Sequence, residues 1–248
     1  MSINNILEMT ISQIVIQDYR ASEIFDKYNI DYYNRGFEKL ANACKARGIK
    51  PEKIINELER LKKASGDNEE DYNTLSVDAL IEEIEFKRHR FFIERAAEIK
   101  NFLNSFNRIH GKNDSGLSDV IDIFYHFSSE TNIHLMKERL VLFPYIKELS
   151  EVEKLNSLST NFNFLAFDLT VELMKAEHNK ETDYINKISA IINNYLLPDK
   201  DEGYQIAYML FKSLKEELIR TIHLENNILF PKAIELEGKV REKMQLQV

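Results

Sequence analysis

Four long stretches, at about residues 76–110, 117–147, 163–195 and 204–236, carry apolar residues at helical spacing with charged residues between them. The breaks between them are "GKNDSG", a looser "ELSEVEKLNSLST", and the neighbourhood of Pro198. Each such helix must bury one stripe, and a short connection returns the chain antiparallel to itself. The pattern therefore predicts an up-down-up-down four-helix bundle. With only 7 Gly and 4 Pro in 248 residues, the chain has little from which to build the tight turns of an all-β protein. The expected fold class is all-α.

A smaller helical part precedes the bundle. A helix lies within roughly 6–28, then "NIDYYNRG", then a helix over about 37–47 that Gly48 stops. Pro51 opens a third helix, "PEKIINELERLKK", where its missing N–H costs nothing, and Ile54, Ile55, Leu58 and Leu61 repeat along one face. The polar, acidic "ASGDNEEDYNT" reads as a solvated hinge, and Ser76 as the N-cap of the first bundle helix. The expected division is a small helical N-terminal domain at 1–63, a linker at 64–75 and the bundle at 76–248.

Composition narrows the function. A formal charge of −8 gives no basic face with which to displace the counterions of a nucleic acid. Cys44 is the single cysteine, so no intrachain disulfide can form and a reducing compartment is expected. The start, "MSINNILEMTISQ", lacks a basic segment followed by an apolar core, and no uncharged apolar run approaches the roughly 18 residues of a membrane span. The sequence reads as a cytoplasmic protein without a membrane or nucleic-acid partner.

Two segments share E-x-x-x-L-F-P: "HLMKERLVLFP", from His134, and "TIHLENNILFP", from Thr221. Residues four apart on a helix lie one turn and about 40° apart. His134 and Glu138 therefore project together, close enough to ligate one ion or two adjacent ones. Alone this signal is weak, since His126 and Glu130 repeat it in the same helix. The shared motif raises it: Leu142 and Phe143 pack the helix end, and the proline that follows is expected to stop or kink each helix at a matching height. His89 on the first helix and His178 on the third complete the set. Each helix then offers a candidate: His89; His134 with Glu138; His178; and Glu225, with Thr221 where the first copy has histidine. Imidazole and carboxylate without thiolate is a ligand set for iron or manganese pairs in a bundle core.

On these residues the chain resembles the hemerythrin-like di-iron proteins for repair of iron centres. "LIEEIEFKRH" matches the family stretch that ends in the first ligand histidine, His89. "HLMKERLVLFP" matches the second, with His134 and Glu138; "KAEH" the third, with His178; and "TIHLENNILFP" the last, which keeps Glu225 but has Thr221 for the ligand histidine. The N-terminal part resembles the small domain that precedes the bundle in this family. Ile30, Asp31, Gly36, Leu40, Ala43 and Cys44 hold, whereas Tyr33 and Asn34 replace its adjacent cysteine pair, which removes any thiol step assigned to that pair.

The resemblance implies a non-haem di-iron centre with Glu138 and Glu225 as bridging carboxylates and His89, His134 and His178 as terminal ligands. It implies a role in nitrosative or oxidative stress: iron supplied to damaged iron–sulfur proteins, or O2 and NO handled at the iron. Thr221 is a poor ligand, and His223, about 200° around the helix from it, does not replace it. Three states stay open: a di-iron site with an open or water-filled position, a site with one metal, and a vestigial pocket without any. Two rival functions stay open as well, a regulatory or binding protein with a decayed site, and an enzyme reducing NO or peroxide. A homodimer is compatible with each.

The remaining candidates have plainer readings. His110, His126 and His223 read as hydrogen-bonded surface or boundary residues. Glu177 could line a channel or relay protons, but an exposed carboxylate is the commoner case. Glu85 and Glu130, each one turn before a ligand histidine, could fill a rearranged site but read as solvated or supporting. Phe86, Phe91 and Phe92 read as core packing.

Overall fold

A computed structural model describes residues 3–63, 72–110, 115–155, 164, 166–195 and 202–245. Most of the expected linker, the 111–114 break, the end of "ELSEVEKLNSLST", and Pro198 lie outside the described residues, and the third bundle helix, expected from about 163, begins at Phe167 because Phe164 and Ala166 are not helical. All regular structure among the described residues is helical, with one isolated bridge between Thr10 and Lys39. The chain forms two compact units, 1–76 with 222–231, and 77–221 with 232–248.

In the first unit the expected helix within 6–28 is three short ones: α1 (Ile3–Glu8), α2 (Ile11–Gln17) and α3 (Ala21–Lys27). Tertiary hydrogen bonds break it. Thr10 caps α2 in a reciprocal box with Gln13, while Ile11 N–H donates to Glu38 and Leu40 N–H to Met9. At the second break Asp18 takes an extended conformation and holds both the N–H and the guanidinium of Arg20. α4 (Leu40–Ala46) begins three residues later than expected, leaving Phe37 exposed. Gly48 ends it at φ +64, the left-handed conformation that favours glycine. α5 (Pro51–Lys63) buries Ile54, Ile55 and Leu58 as its spacing foretold. The loop between α3 and α4 packs on residues 222–231. Asn227 Nδ2 donates to the carbonyls of Tyr32 and Tyr33, Asn226 Nδ2 to that of Tyr33, and His223 lies against the Tyr19 and Tyr32 rings.

The bundle is built from four long helical runs. The first is α6 (Val77–Glu83), a π turn (Ile84–His89) and α7 (Arg90–His110). The second is α8 (Ser115–Lys137), a π turn (Glu138–Leu142) and α9 (Phe143–Leu155). The third is α10 (Phe167–Tyr195); the fourth is α11 (Glu202–Leu224), a π turn (Glu225–Leu229) and α12 (Phe230–Gln245). α8 packs along α10 and α7, and α9 along α6. The fourth run is held to the others on both sides of its π turn: Phe211 packs edge-on against Phe124 and Glu217 pairs with Arg88, while beyond it Glu237 accepts from Tyr145 and Lys243 bonds to Glu153.

Of the two outcomes expected at the prolines, a stop or a kink, the stop occurs in neither helix. In a regular α-helix the ring of Pro144 would meet the carbonyl of Leu140. The preceding turn instead widens, and Phe143 N–H bonds to Glu138 O, five residues back; Phe230 N–H bonds likewise to Glu225 O before Pro231. The helices run on to Leu155 and Gln245. Three π turns therefore coincide with His89, Glu138 and Glu225, the kind of local insertion that re-aims side chains at functional sites. Phe92 is core, but Phe86 is exposed because it lies two residues from buried Ile84, on the opposite face.

Candidate metal centre

Glu138 is wholly buried, and neither of its side-chain oxygens accepts a hydrogen bond. An ionised carboxylate in an apolar core normally has partners, because leaving it without them costs several times the value of an ordinary hydrogen bond. Each oxygen instead faces a different imidazole: Oε2 lies 3.4 Å from His89 Nε2, and Oε1 3.5 Å from His134 Nε2. His89 is held by stacking on Phe143.

A second convergence joins the second and third helices. His134 Nε2 and His178 Nε2 are 3.0 Å apart. Two imidazole nitrogens each about 2.1 Å from one ion, at right angles, would be separated by about 3.0 Å. One ligand atom from each of His134, Glu138, His178 and Glu225, all buried, lies within 4.8 Å of the others.

Around His134 the structure fixes the proton. Nδ1 lies 2.8 Å from Glu177 Oε2, and Lys137 binds the other oxygen of Glu177. With Nδ1–H donated to a carboxylate, Nε2 is the atom presented to a metal, the usual orienting pattern for a ligating histidine. Burial disfavours a charged His134, but Glu138, Glu177 and Glu181 outweigh it and hold its pKa well above 6.5. Glu177 is held down at about 2, chiefly by its bond to His134. In a metal-free chain this pair is an imidazolium with a carboxylate, and metal binding would expel the proton.

The candidates therefore separate. His89, His134, Glu138, His178 and Glu225 are buried, and all but His89 form the tight cluster. Glu177 is a hydrogen-bond partner of His134, not the solvated carboxylate expected. Thr221 is buried, and its hydroxyl donates 2.9 Å to Glu217 O in its own helix, so it turns away from ligation. His223 is buried rather than at the surface: its Nδ1 accepts from Asn227 Nδ2 at 3.1 Å, because the Tyr19 and Tyr32 rings cover it. Glu85 pairs with Arg139, and His126 with Glu130 on the outer face. The side chain of His110 lies outside the described residues.

One buried acid escaped the sequence reading. Glu181 is nearly inaccessible, and its Oε1 has no hydrogen-bond partner. Its signal was present: Val171, Met174, His178, Ile185, Ile188 and Ile192 are the buried stripe of α10, and Glu181 stands within it.

Residues 80–233 match the hemerythrin HHE cation-binding domain, and residues 7–62 the ScdA_N domain, a domain of unknown function (DUF542). The chain is 25% identical to the "Probable iron-sulfur cluster repair protein" of Haemophilus influenzae, over 92% of this chain and 97% of the relative. It is 26% identical, with the same coverage, to the iron-sulfur cluster repair protein YtfE of Shigella boydii, and 25% to that of Citrobacter koseri. No described helix is long and apolar enough to cross a membrane. With more than half of its length matched and a buried His/Glu group able to hold a metal, the chain belongs to the hemerythrin HHE cation-binding family.

Proposed function

We propose that this is a cytoplasmic non-haem di-iron protein of the stress response, and that it restores damaged iron–sulfur proteins by supplying iron. The carrying observation is Glu138: a buried carboxylate without hydrogen bonds, whose two oxygens each face a different ligand-type histidine. That is the disposition of a carboxylate shared by two ions, with His134 and His178 on one side and His89 on the other. Glu225 supplies a second carboxylate from the fourth helix. The relatives named as iron–sulfur cluster repair proteins support the assignment of substrate class.

Bound iron would supply one-electron redox chemistry and affinity for small oxidants such as O2 and NO. The chain's own residues do the rest: Glu177 orients His134 by accepting from its Nδ1–H, the apolar stripes exclude bulk water, and Thr221 contributes no ligand. A site that is one imidazole short holds one ion less firmly, which suits a donor. We place the functional division at 1–63, 64–75 and 76–248, with the bundle holding iron. The N-terminal domain, with Tyr33 and Asn34 where its relatives' family has thiols, acts by contact.

The test is transfer. The iron-loaded chain is incubated anaerobically with an apo iron–sulfur enzyme, sulfide and thiol. Recovery of acceptor activity with loss of iron from the chain supports donation. Iron retained while NO or peroxide is consumed catalytically would establish the enzyme reading instead.

A further inference from the structure

Glu181 has the properties of a ligand that no sequence motif announces. It stands three residues after His178 on α10, so the two side chains leave the helix one turn and about 60° apart. Helical side chains lean toward the N-terminus, which lays the long arm of Glu181 back over the turn that carries His178. Its Oε1 is buried without a hydrogen bond, and the groups acting on its charge are His134, His178, Glu138 and Thr131. The Thr131 hydroxyl is itself buried and makes no hydrogen bond of ordinary geometry. Among the described residues no lysine or arginine forms an ion pair with Glu181. Burial raises its pKa, and His134, His178 and Thr131 act the other way, so the groups that favour its charged form are the two histidines themselves and one hydroxyl.

We propose that Glu181 is a further metal ligand, a terminal carboxylate on α10 that binds the same ion as His134 and His178. A carboxylate and a histidine three apart on a bundle helix form a ligand pair at paired-metal centres in the order Glu-x-x-His; here the order is reversed, with His178 before Glu181. The second helix offers His134 and Glu138, and the third offers His178 and Glu181, so two adjacent helices of one unit supply two imidazoles and two carboxylates. Glu138, shared between two ions, gives each only part of its charge, and Glu181 gives this ion an anion of its own. The two metal positions would thereby be unequal: the ion at His134 and His178 would bind tightly and the ion at His89 weakly. This inference rests on the iron-binding reading above.

The test uses the full-length chain titrated anaerobically with cobalt(II), whose visible bands report coordination, with ferrous iron competing. Glu181→Gln should weaken the tighter ion 10- to 100-fold and alter its bands. The metal-free chain should melt at about the same temperature, because the attraction lost between Glu181 and His134 is offset by removal of a buried oxygen without a hydrogen bond. Glu181→Met, which fills the same volume, should behave likewise and guards against a local packing fault of the amide. Unchanged affinity and bands in both variants would overturn the proposal, as would a lower melting temperature of the metal-free variants with metal binding intact. If the unaltered chain binds neither cobalt nor iron, the iron-binding reading fails and takes this one with it. Unaltered binding in the variants alone overturns only the role of Glu181.

Discussion

Replacing Gly36 with alanine should unseat the loop that precedes α4. A Cβ built there would lie 2.5 Å from Asn227 Oδ1, 2.6 Å from Tyr32 O and 2.8 Å from Ser12 Cβ, all within the first unit. None of the three can retreat alone. The Tyr32 carbonyl accepts from Asn227 Nδ2 at 3.1 Å, and Ser12 N–H donates to Gly36 O at 2.9 Å. Overpacking of this kind costs about 1–3 kcal/mol. Losing one Asn227 hydrogen bond adds about 1 kcal/mol. The stiffer unfolded chain returns about 0.4–1 kcal/mol. The net is a loss of about 1–3 kcal/mol, and at about 4–8 °C per kcal/mol for a unit of this size the N-terminal transition should fall by roughly 5–20 °C. Thermal unfolding with hydrogen exchange read on α2 and on residues 30–39 measures both the drop and its location. An unchanged or raised transition, with amide protection intact, would refute the reasoning and show that the loop yields to a methyl group.

Other outcomes follow from the metal centre. Glu177→Leu removes the acceptor of the His134 Nδ1 proton and should weaken ferrous binding about 10- to 100-fold, read by anaerobic titration. The metal-free chain should lose stability at both ends of the pH scale, as denaturant unfolding at a series of pH values would show. Glu177, lowered from 4.5 to about 2, gives stability that is complete above 4.5 and lost as pH falls toward 2. His134, raised above 6.5, gives stability that is complete below 6.5 and lost as pH climbs through its raised value. Thr221→His replaces a hydroxyl turned back on its own helix and should tighten the weaker ion at least about 10-fold, leaving loading at saturation unchanged.

The sequence made the bundle and most of the cluster legible because both depend on spacing within single helices. His134 and Glu138 are one turn apart on any helix, so their pairing needed no knowledge of neighbours. The stripe of Ile54, Ile55 and Leu58 was equally local. Whatever depended on partners distant in sequence was hidden. The helix expected within 6–28 breaks at Thr10 because Glu38 and Leu40 exchange hydrogen bonds with its backbone, and no propensity in that stretch reports them. The prolines pointed to a stop or a kink without deciding between them, and packed flanks on both sides carry each helix on through a π turn that its residues do not spell. Glu177 and Glu181 look alike in sequence, two acids on a charged helix. The apolar stripe singles out Glu181 for burial, but only the fold makes Glu177 the partner of His134 and leaves Glu181 Oε1 without a hydrogen bond.

The central claim is that this bundle holds two iron ions on His89, His134, His178, Glu138, Glu181 and Glu225. Iron per chain, measured by elemental analysis after anaerobic reconstitution with ferrous iron and removal of loose metal, tests it most directly. The account predicts two, falling below one in Glu138→Leu while helix content is kept. A value near one would contradict the sharing of Glu138 between His89 and His134, and a value near zero in a folded chain would contradict the metal centre altogether.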